Sequence, residues 1–324
     1  MLVKKILNKL NGLYFPQEYL CLDQQQFNQP LHVYTILEDI VIANIGSAHC
    51  FVGYSPVIFA MMDTTMGGLH PETIRVAFMA EPLPLNGNFR AKDAVAILSL
   101  EKINEQRLGT DGTILYYEAK KGTHRFISGF SRFVLQLSNR LYQKKPGNIY
   151  LPGNAYKQVQ IAYVVPRNIS LVTVGQDGLF NLFPTDLHGP AGEDHYIISL
   201  RQEGKACKQV MERGKILLTG VESGFYKTVY NLGKNHMQEM KPGENFPFSD
   251  RVSARFGLPV PQAAVSYLEL ELLDSFTRGI HRLLLFKTLT RQRVQGNTST
   301  LAHIHNVYAT WRQNKGLAGN YLLR

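Results

Sequence analysis

The chain has 324 residues, 44% hydrophobic and 19% charged, a balance that excludes wholesale disorder and leaves room for two packed domains. Its formal net charge is +10, and after Asp274 it carries basic residues (Arg278, Arg282, Lys287, Arg291, Arg293, Arg312, Lys315, Arg324) but no acidic one. Three scattered cysteines (Cys21, Cys50, Cys207) with no CxxC spacing argue against a disulfide framework and for a reducing cytoplasm, and no apolar run approaches the roughly 20 residues that span a bilayer.

The chain opens with MLVKKILNKLNGLYFP, basic and amphipathic, without the apolar core or cleavage site of a signal peptide. Its periodicity predicts a short surface helix packing Leu2, Ile6, Leu7 and Leu10 inward. Apolar runs at 31–36, 40–46 and 51–62, broken by Gly, Ser and Pro, predict strands. Another run at 74–82 leads into a turn-rich stretch holding Asn86-Gly87. Residues 94–100 (AVAILSL) suit strand or helix, and 101–108 (EKINEQRL) are helical in propensity. Residues 114–119 read as a strand and 126–141 as a helix. The stretch 144–154, with Pro146, Gly147, Pro152 and Gly153, reads as a linker, giving two domains, 1–150 and 151–324.

The second half is more explicit. ISLVTV (169–174) and LFNLF (179–183) flank an Asp177-Gly178 hairpin turn. A strand at 196–200 precedes a helix over 205–213 that Gly214 ends, then a strand at 215–221 and a short helix over 224–233. In SYLELELLDSF (266–276), Leu268, Leu270 and Leu272 alternate with Glu269 and Glu271, one set per face, and HRLLLFKTLT (281–290) is the expected partner strand. Many short strands with few helices suggest a small barrel rather than a doubly wound sheet. No GxGxxG or GxxxxGK[ST] occurs. Strand, hairpin, polar loop and strand from Val165 to Arg201 place a backbone-rich, partly cationic pocket beside a sheet, which suits a phosphate-bearing planar cofactor.

From about Tyr163 to Leu317 the order of these pieces resembles the flavin reductase-like family, whose fold is an FMN-binding split β-barrel. The resemblance rests on Pro166 before a strand with Val172-Thr173, the Asp177-Gly178 turn, Asn181, Pro184 and the polar pair Thr185-Asp186. It continues through Ser199-Leu200-Arg201, a helix, the strand 216–221, and a closing pair opened by Leu268-Glu269 and His281. It implies a mainly β (α+β) protein with a split barrel in its second half. Asn181, Thr185, Asp186 and Leu187 would line a flavin loop, Arg201 and Lys205 would face the phosphate, and His281 would stand near the flavin ring. The implied cofactor is FMN, the implied reaction hydride transfer from NAD(P)H to flavin, and the implied assembly a homodimer or an internal pseudo-dimer.

The chain departs from the family pattern at Thr185-Asp186, where small hydroxylated residues are usual, and at Ala206-Cys207, where a threonine is usual. A carboxylate beside a phosphate would repel it, so Asp186 is expected to point elsewhere or cap a turn. A non-catalytic barrel with a decayed flavin site is therefore the alternative reading, and a nucleic-acid module using the basic tail a third, disfavoured by the scarcity of clustered aromatics there. IVIANIG (40–46) echoes ISLVTVG (169–175), so the first half reads either as a degenerate second barrel or as an unrelated strand-rich fold. Single features have plainer readings. The His303-x-His305 pair is half a metal site at most, Cys207 a buried thiol, and Tyr308 and Trp311 packing residues.

Overall fold

The computed structural model describes residues 12–15, 17–109, 112–142, 151–296, 299–317 and 319–322. The expected helix carrying Leu2, Ile6, Leu7 and Leu10, and residues 144–150 of the expected linker, lie outside these. The protein is mainly β.

The first strand, β1 (Tyr19–Asp23), joins a sheet completed by much later residues. The next seven form a sheet of their own: β2 (His32–Leu37), β3 (Ile40–Asn44), β4 (His49–Tyr54), β5 (Val57–Met62), β6 (Thr73–Met79), β7 (Ala96–Arg107) and β8 (Thr113–His124), in the order β3-β2-β6-β7-β8-β5-β4. Two helices follow, α1 (Gly129–Tyr142) and α2 (Ala155–Ala162), and then the two-residue strand β9 (Arg167–Asn168).

The second sheet takes β10 (Ser170–Gln176), β11 (Leu179–Thr185), β12 (His188–Ala191) and β13 (His195–Arg201). Next come α3 (Lys205–Arg213), β14 (Lys215–Val221), α4 (Tyr226–Asn231), the edge strand β15 (Lys241–Pro242) and a small separate pair, β16 (Phe248–Val252) and β17 (Pro259–Pro261). A long hairpin, β18 (Ala264–Arg278) and β19 (His281–Arg293), closes the sheet in the order β12-β13-β19-β18-β14-β10-β11-β15. The chain ends with β20 (Leu301–His305), α5 (Asn306–Asn314) and β21 (Tyr321–Leu322). There β21-β1-β20-β9 form a four-stranded sheet that ties the two ends of the chain together.

Read from one edge, the first sheet runs β4-β5-β8-β7-β6-β2-β3 and the second β12-β13-β19-β18-β14-β10-β11, the same walk through seven strands and six pairings. Local details follow suit. The β2–β3 turn places Glu38 and Asp39 at φ 48° and 64°, and the β10–β11 turn places Asp177 and Gly178 at 54° and 79°. Two successive left-handed residues give the turn whose twist matches antiparallel strands. The long hairpins slip register at Ser99/Leu100 and Lys102/Asn104 in the first sheet, and at Glu269/Leu270 and Leu272/Asp274 in the second.

The largest apolar cluster joins the first sheet (Phe51, Phe59, Phe78, Leu98, Tyr117) to α2, β20 and α5. A second fills the second sheet under α3 (Val172, Phe183, Leu200, Val210, Leu270, Phe286). A third forms the seam between them: Cys50, Ala60, Ile114 and Tyr116 from one side, Ile197, Leu283 and Leu285 from the other.

Three sequence expectations need correction. Residues 101–107 belong to β7, not a helix, because pairing with β6 and β8 on both edges outweighs their modest helical propensity. The stretch 224–233 is not one helix: a 3-10 turn (Ser223–Phe225) leads into α4, and a second (Leu232–Met237) follows. The alternation expected of 266–276 does not sort its two faces by burial: Glu269 is fully buried, its carboxylate accepting the amides of Arg255 (2.9 Å) and Phe256 (2.7 Å), while Leu268 and Leu272 are only partly buried. The expected strands at 114–119 and 281–290, the Asp177-Gly178 hairpin and the helix 205–213 ended by left-handed Gly214 match β8, β19, the β10–β11 turn and α3. No described helix is long and apolar enough to cross a membrane.

Candidate functional site

Where β11 and β13 end and β19 and α3 begin, a cavity of about 350 Å³ opens on the seam between the two sheets. The end of β11 contributes Thr185, the loop after it Asp186 and Leu187, and β13 contributes Ser199 and Arg201, two positions apart and so on one face. α3 presents its first turn through Gly204, Ala206 and Cys207, and the 3-10 turn after α4 closes one side with Lys234, His236 and Met237. From the first sheet comes Tyr54, at the end of β4.

The start of α3 has no side-chain cap and no acidic residue in its first turn. The Cys207 amide donates to the Gly204 carbonyl at 3.1 Å, no side chain caps the amides before it, and the positive end of the dipole lies at the residues of this turn that line the cavity. Gly204 keeps this turn close-packed: a Cβ there would lie 3.1 Å from the Arg201 carbonyl oxygen and 3.3 Å from that of His236. Arg201 is exposed, and its Nε donates to Tyr54 Oη at 2.9 Å while the guanidinium lies 5.8 Å from the Tyr54 ring centre. Tyr54 thus fixes the arginine by its stem nitrogen and leaves the terminal fork for an anion.

The site's polar groups are largely pre-set. The buried His281 Nε2 accepts the Tyr54 amide at 3.2 Å, which places the ring proton on Nδ1, donated to Ser199 Oγ at 3.1 Å. Burial, reinforced by Arg201, brings His281 down to about 4, so it is neutral at pH 7. His236 donates Nε2–H to the Pro184 carbonyl at 2.7 Å, and burial lowers its affinity for a second proton. Burial raises the Cys207 thiol, which stays protonated. Asp186 turns its Oδ2 away to accept from Tyr163 Oη and His303 Nδ1, each at 2.9 Å. Burial opposes charge on both partners. The hydrogen-bonded pairing outweighs it, holding Asp186 below the usual carboxylate range and His303 up at about 9. The carboxylate beside the cavity is therefore neutralised by its own imidazolium.

Of the sequence-predicted residues, Thr185, Asp186, Leu187, Arg201 and His281 meet around this cavity. Asn181 does not. It is fully buried inside the fold, donating to Gln209 Oε1 (2.7 Å) and the Asn235 carbonyl (3.1 Å), and so braces the cavity wall from behind. Lys205 does not either. It pairs with Glu239 at 2.7 Å, while its neighbours Gly204 and Ala206 face inward. Sequence reasoning missed Tyr54, Ser199, Lys234 and His236; Tyr54 in particular lies 147 positions from its partner Arg201, with no local signal linking them.

His303 and His305 part company. The first pairs with Asp186 and Tyr230, and the second, fully buried, caps α5 by accepting the Val307 amide at Nδ1. Among the described residues no group of three or more His, Cys, Asp or Glu could hold a metal ion. The basic tail does not form one face: Arg278 pairs with Glu118, whereas Arg312 is fully buried with its guanidinium 4.0 Å from the Phe27 ring centre. Tyr308 and Trp311 stack on each other in the largest core cluster.

Neither a protein-family model nor a curated protein matches this chain. Among solved structures, it is similar to an NADH:FAD oxidoreductase of Streptomyces globisporus, with 16% identity over 49% of this chain and 94% of that one, at a TM-score of 0.41. It is similar to an FMN-binding protein from Thermus thermophilus, with 16% identity over 50% and 96%, at 0.40. A third similar structure is BorF, the flavin reductase component of a bacterial two-component tryptophan halogenase, with 15% identity over 47% and 94%, at 0.41.

Proposed function

We propose that the cavity on the seam binds FMN and that the protein is a flavin reductase-type oxidoreductase, moving a hydride from NAD(P)H to flavin. The observation that carries this reading is the uncapped start of α3 with Arg201 braced beside it by Tyr54, a donor set suited to a terminal phosphate. The cavity volume falls within the range of small-molecule and cofactor sites. The α3 amides, Arg201 and Lys234 would hold the phosphate, and Thr185, Ser199 and neutral His281 would line the rest of the cavity around the ring. Bound flavin supplies the redox chemistry, so the chain needs no acid or nucleophile of its own. Asp186, charged but paired with His303, leaves the phosphate unopposed.

The same reading makes the chain an internal pseudo-dimer, with units 1–150 and 151–324 each built on a split barrel. Its support is the shared order of seven strands, the two left-handed turns and the two pairs of register slips at corresponding places.

The test is direct. Purified protein should show flavin absorbance between about 350 and 500 nm, or gain it on adding FMN, and should oxidise NAD(P)H with flavin present. Arg201→Ala should weaken FMN about 10- to 100-fold and leave riboflavin, which lacks the phosphate, nearly unaffected. A colourless protein whose melting temperature ignores FMN would instead leave a barrel with a decayed site.

A further inference from the structure

The seam carries a second cavity, of about 200 Å³, lined by Ser47, Ala48, Thr64, Thr65, Ile114 and Gly192 among others. Strand register shows how it relates to the first. In one sheet Cys50 pairs with Ala60 and Ala60 with Tyr116; in the other Gly189 pairs with Ile197 and Ile197 with Leu285. These two triplets occupy the same places in the shared strand order, and they face each other across the seam. A Cβ on Gly189 would strike Cys50 Sγ, and the remaining members share one apolar cluster. Corresponding residues meeting one another is the geometry of a two-fold axis.

Counting outward from these anchors gives the counterpart of each functional residue. Four positions past Ile197 stands Arg201, and four past Ala60 stands Thr64; four before Leu285 stands His281, and four before Tyr116 stands Gly112. The β4–β5 turn delivers Tyr54 to the first cavity, and its counterpart, the β12–β13 turn, delivers Gly192 to the second. The nine-residue α3 is replaced by a four-residue 3-10 turn, Asp63–Met66. There the Asp63 carboxylate already takes the Thr113 amide at 3.0 Å. Thr64, Gly192 and Gly112 thus stand where the first cavity has its cation, aromatic arm and histidine, the helix start is gone, and the carboxylate of Asp63 adjoins the cation's counterpart. The histidine that lines this cavity, His49, lies on β4 and corresponds to His188, outside the first cavity's lining.

Resting on the flavin reading above, we infer that the first half is a dedicated partner unit: it supplies Tyr54 to seat Arg201 in the flavin cavity, while its own counterpart cavity has lost its grip on phosphate-bearing ligands. Each chain takes one flavin nucleotide, and Tyr54 is a positioning residue acting through Arg201.

Titration of the full chain with FMN, followed by flavin fluorescence, should saturate at one equivalent. Tyr54→Phe keeps the ring but removes the oxygen that holds Arg201; it should weaken FMN about 3- to 10-fold with riboflavin unchanged. Ala48→Trp, which plugs the mouth of the second cavity, and Thr64→Glu, which adds charge there, should leave both stoichiometry and affinity as in the parent. Two equivalents in the parent, a loss of FMN binding in both second-cavity variants while they stay folded, or an equal loss of FMN and riboflavin in Tyr54→Phe would overturn the inference. Zero equivalents in the parent would overturn the flavin reading itself, a distinguishable result.

Discussion

Asp186 and His303 show what a sequence hides about a single residue. A carboxylate in a loop expected to cradle phosphate reads as a fault until its partner is known, and that partner lies 117 positions away on a different sheet. The pair has a pH signature. His303 is raised by its partner, so its contribution to stability is full below the ordinary imidazole range and is lost as pH rises through about 9. Asp186 is depressed, so its contribution is present above the ordinary carboxylate range and is lost as pH falls through its lowered value. His303→Asn should cost about 2–3 kcal/mol at neutral pH, below the figure for fully buried pairs because both side chains keep some exposure. Thermal melts across pH 7–10 should show the gap between parent and variant closing as pH rises. A gap that stays constant would mean the pair is not charged as described.

At the scale of elements, the walls of the cavity are held by a buried polar bridge. Asn181 on β11 donates to Gln209 on α3 and to the carbonyl of Asn235, while Asn235 donates to the Leu182 carbonyl at 2.8 Å and Gln209 to that of Gln238 at 3.0 Å. Asn181 entered the expected flavin loop through the family resemblance, although it lies within the strand expected at 179–183. The side-chain alternation of β11 turns it inward instead, toward α3. Asn181→Ala should lower stability by about 1–3 kcal/mol, because Gln209 loses a buried partner. Amide exchange should quicken first in residues 232–238, with the first sheet unaffected. Uniform acceleration through both sheets would argue that the bridge is not local. Strands and turns here were legible where the pattern was local, as at Asp177-Gly178. They were misread where pairing overrode it, as in β7, whose helical propensity is worth only tenths of a kcal/mol per residue.

For the molecule as a whole, the seam is the feature that makes one site from two half-chains. Two glycines of the second half meet the first half closely, Gly189 against Cys50 and Gly279 against Ser55 and Pro56, and at each an added Cβ would strike its neighbour. Burial raises the Cys50 thiol to about 12, and its Sγ lies 3.1 Å from the Pro190 carbonyl oxygen, so it acts as packing. Gly189→Ala should destabilise the chain by about 1–3 kcal/mol through overpacking. Adding Cys50→Ala should return at least half of that loss, a coupling expected only of residues in contact. Simple additivity of the two changes in denaturant melts would mean the halves do not meet there. A weakened seam should also weaken FMN, because Tyr54 reaches the cavity only while the halves are docked.

The sequence by itself determined the strand-rich character of the chain, the hairpin at Asp177-Gly178, the helix over 205–213 with its glycine stop, and the loop and strand that supply Thr185, Asp186, Leu187 and Arg201. These follow from short-range rules of alternation, turn chemistry and capping, which act over a few residues. Only the tertiary structure decided that Tyr54 braces Arg201, that His303 neutralises Asp186, that Asn181 and Lys205 stand outside the cavity, and that the two sheets share one strand order. Each of these depends on which strands lie side by side and how two sheets meet. Long-range pairing sets that, and the two sheets share one strand order although the sequences of the two halves are little alike.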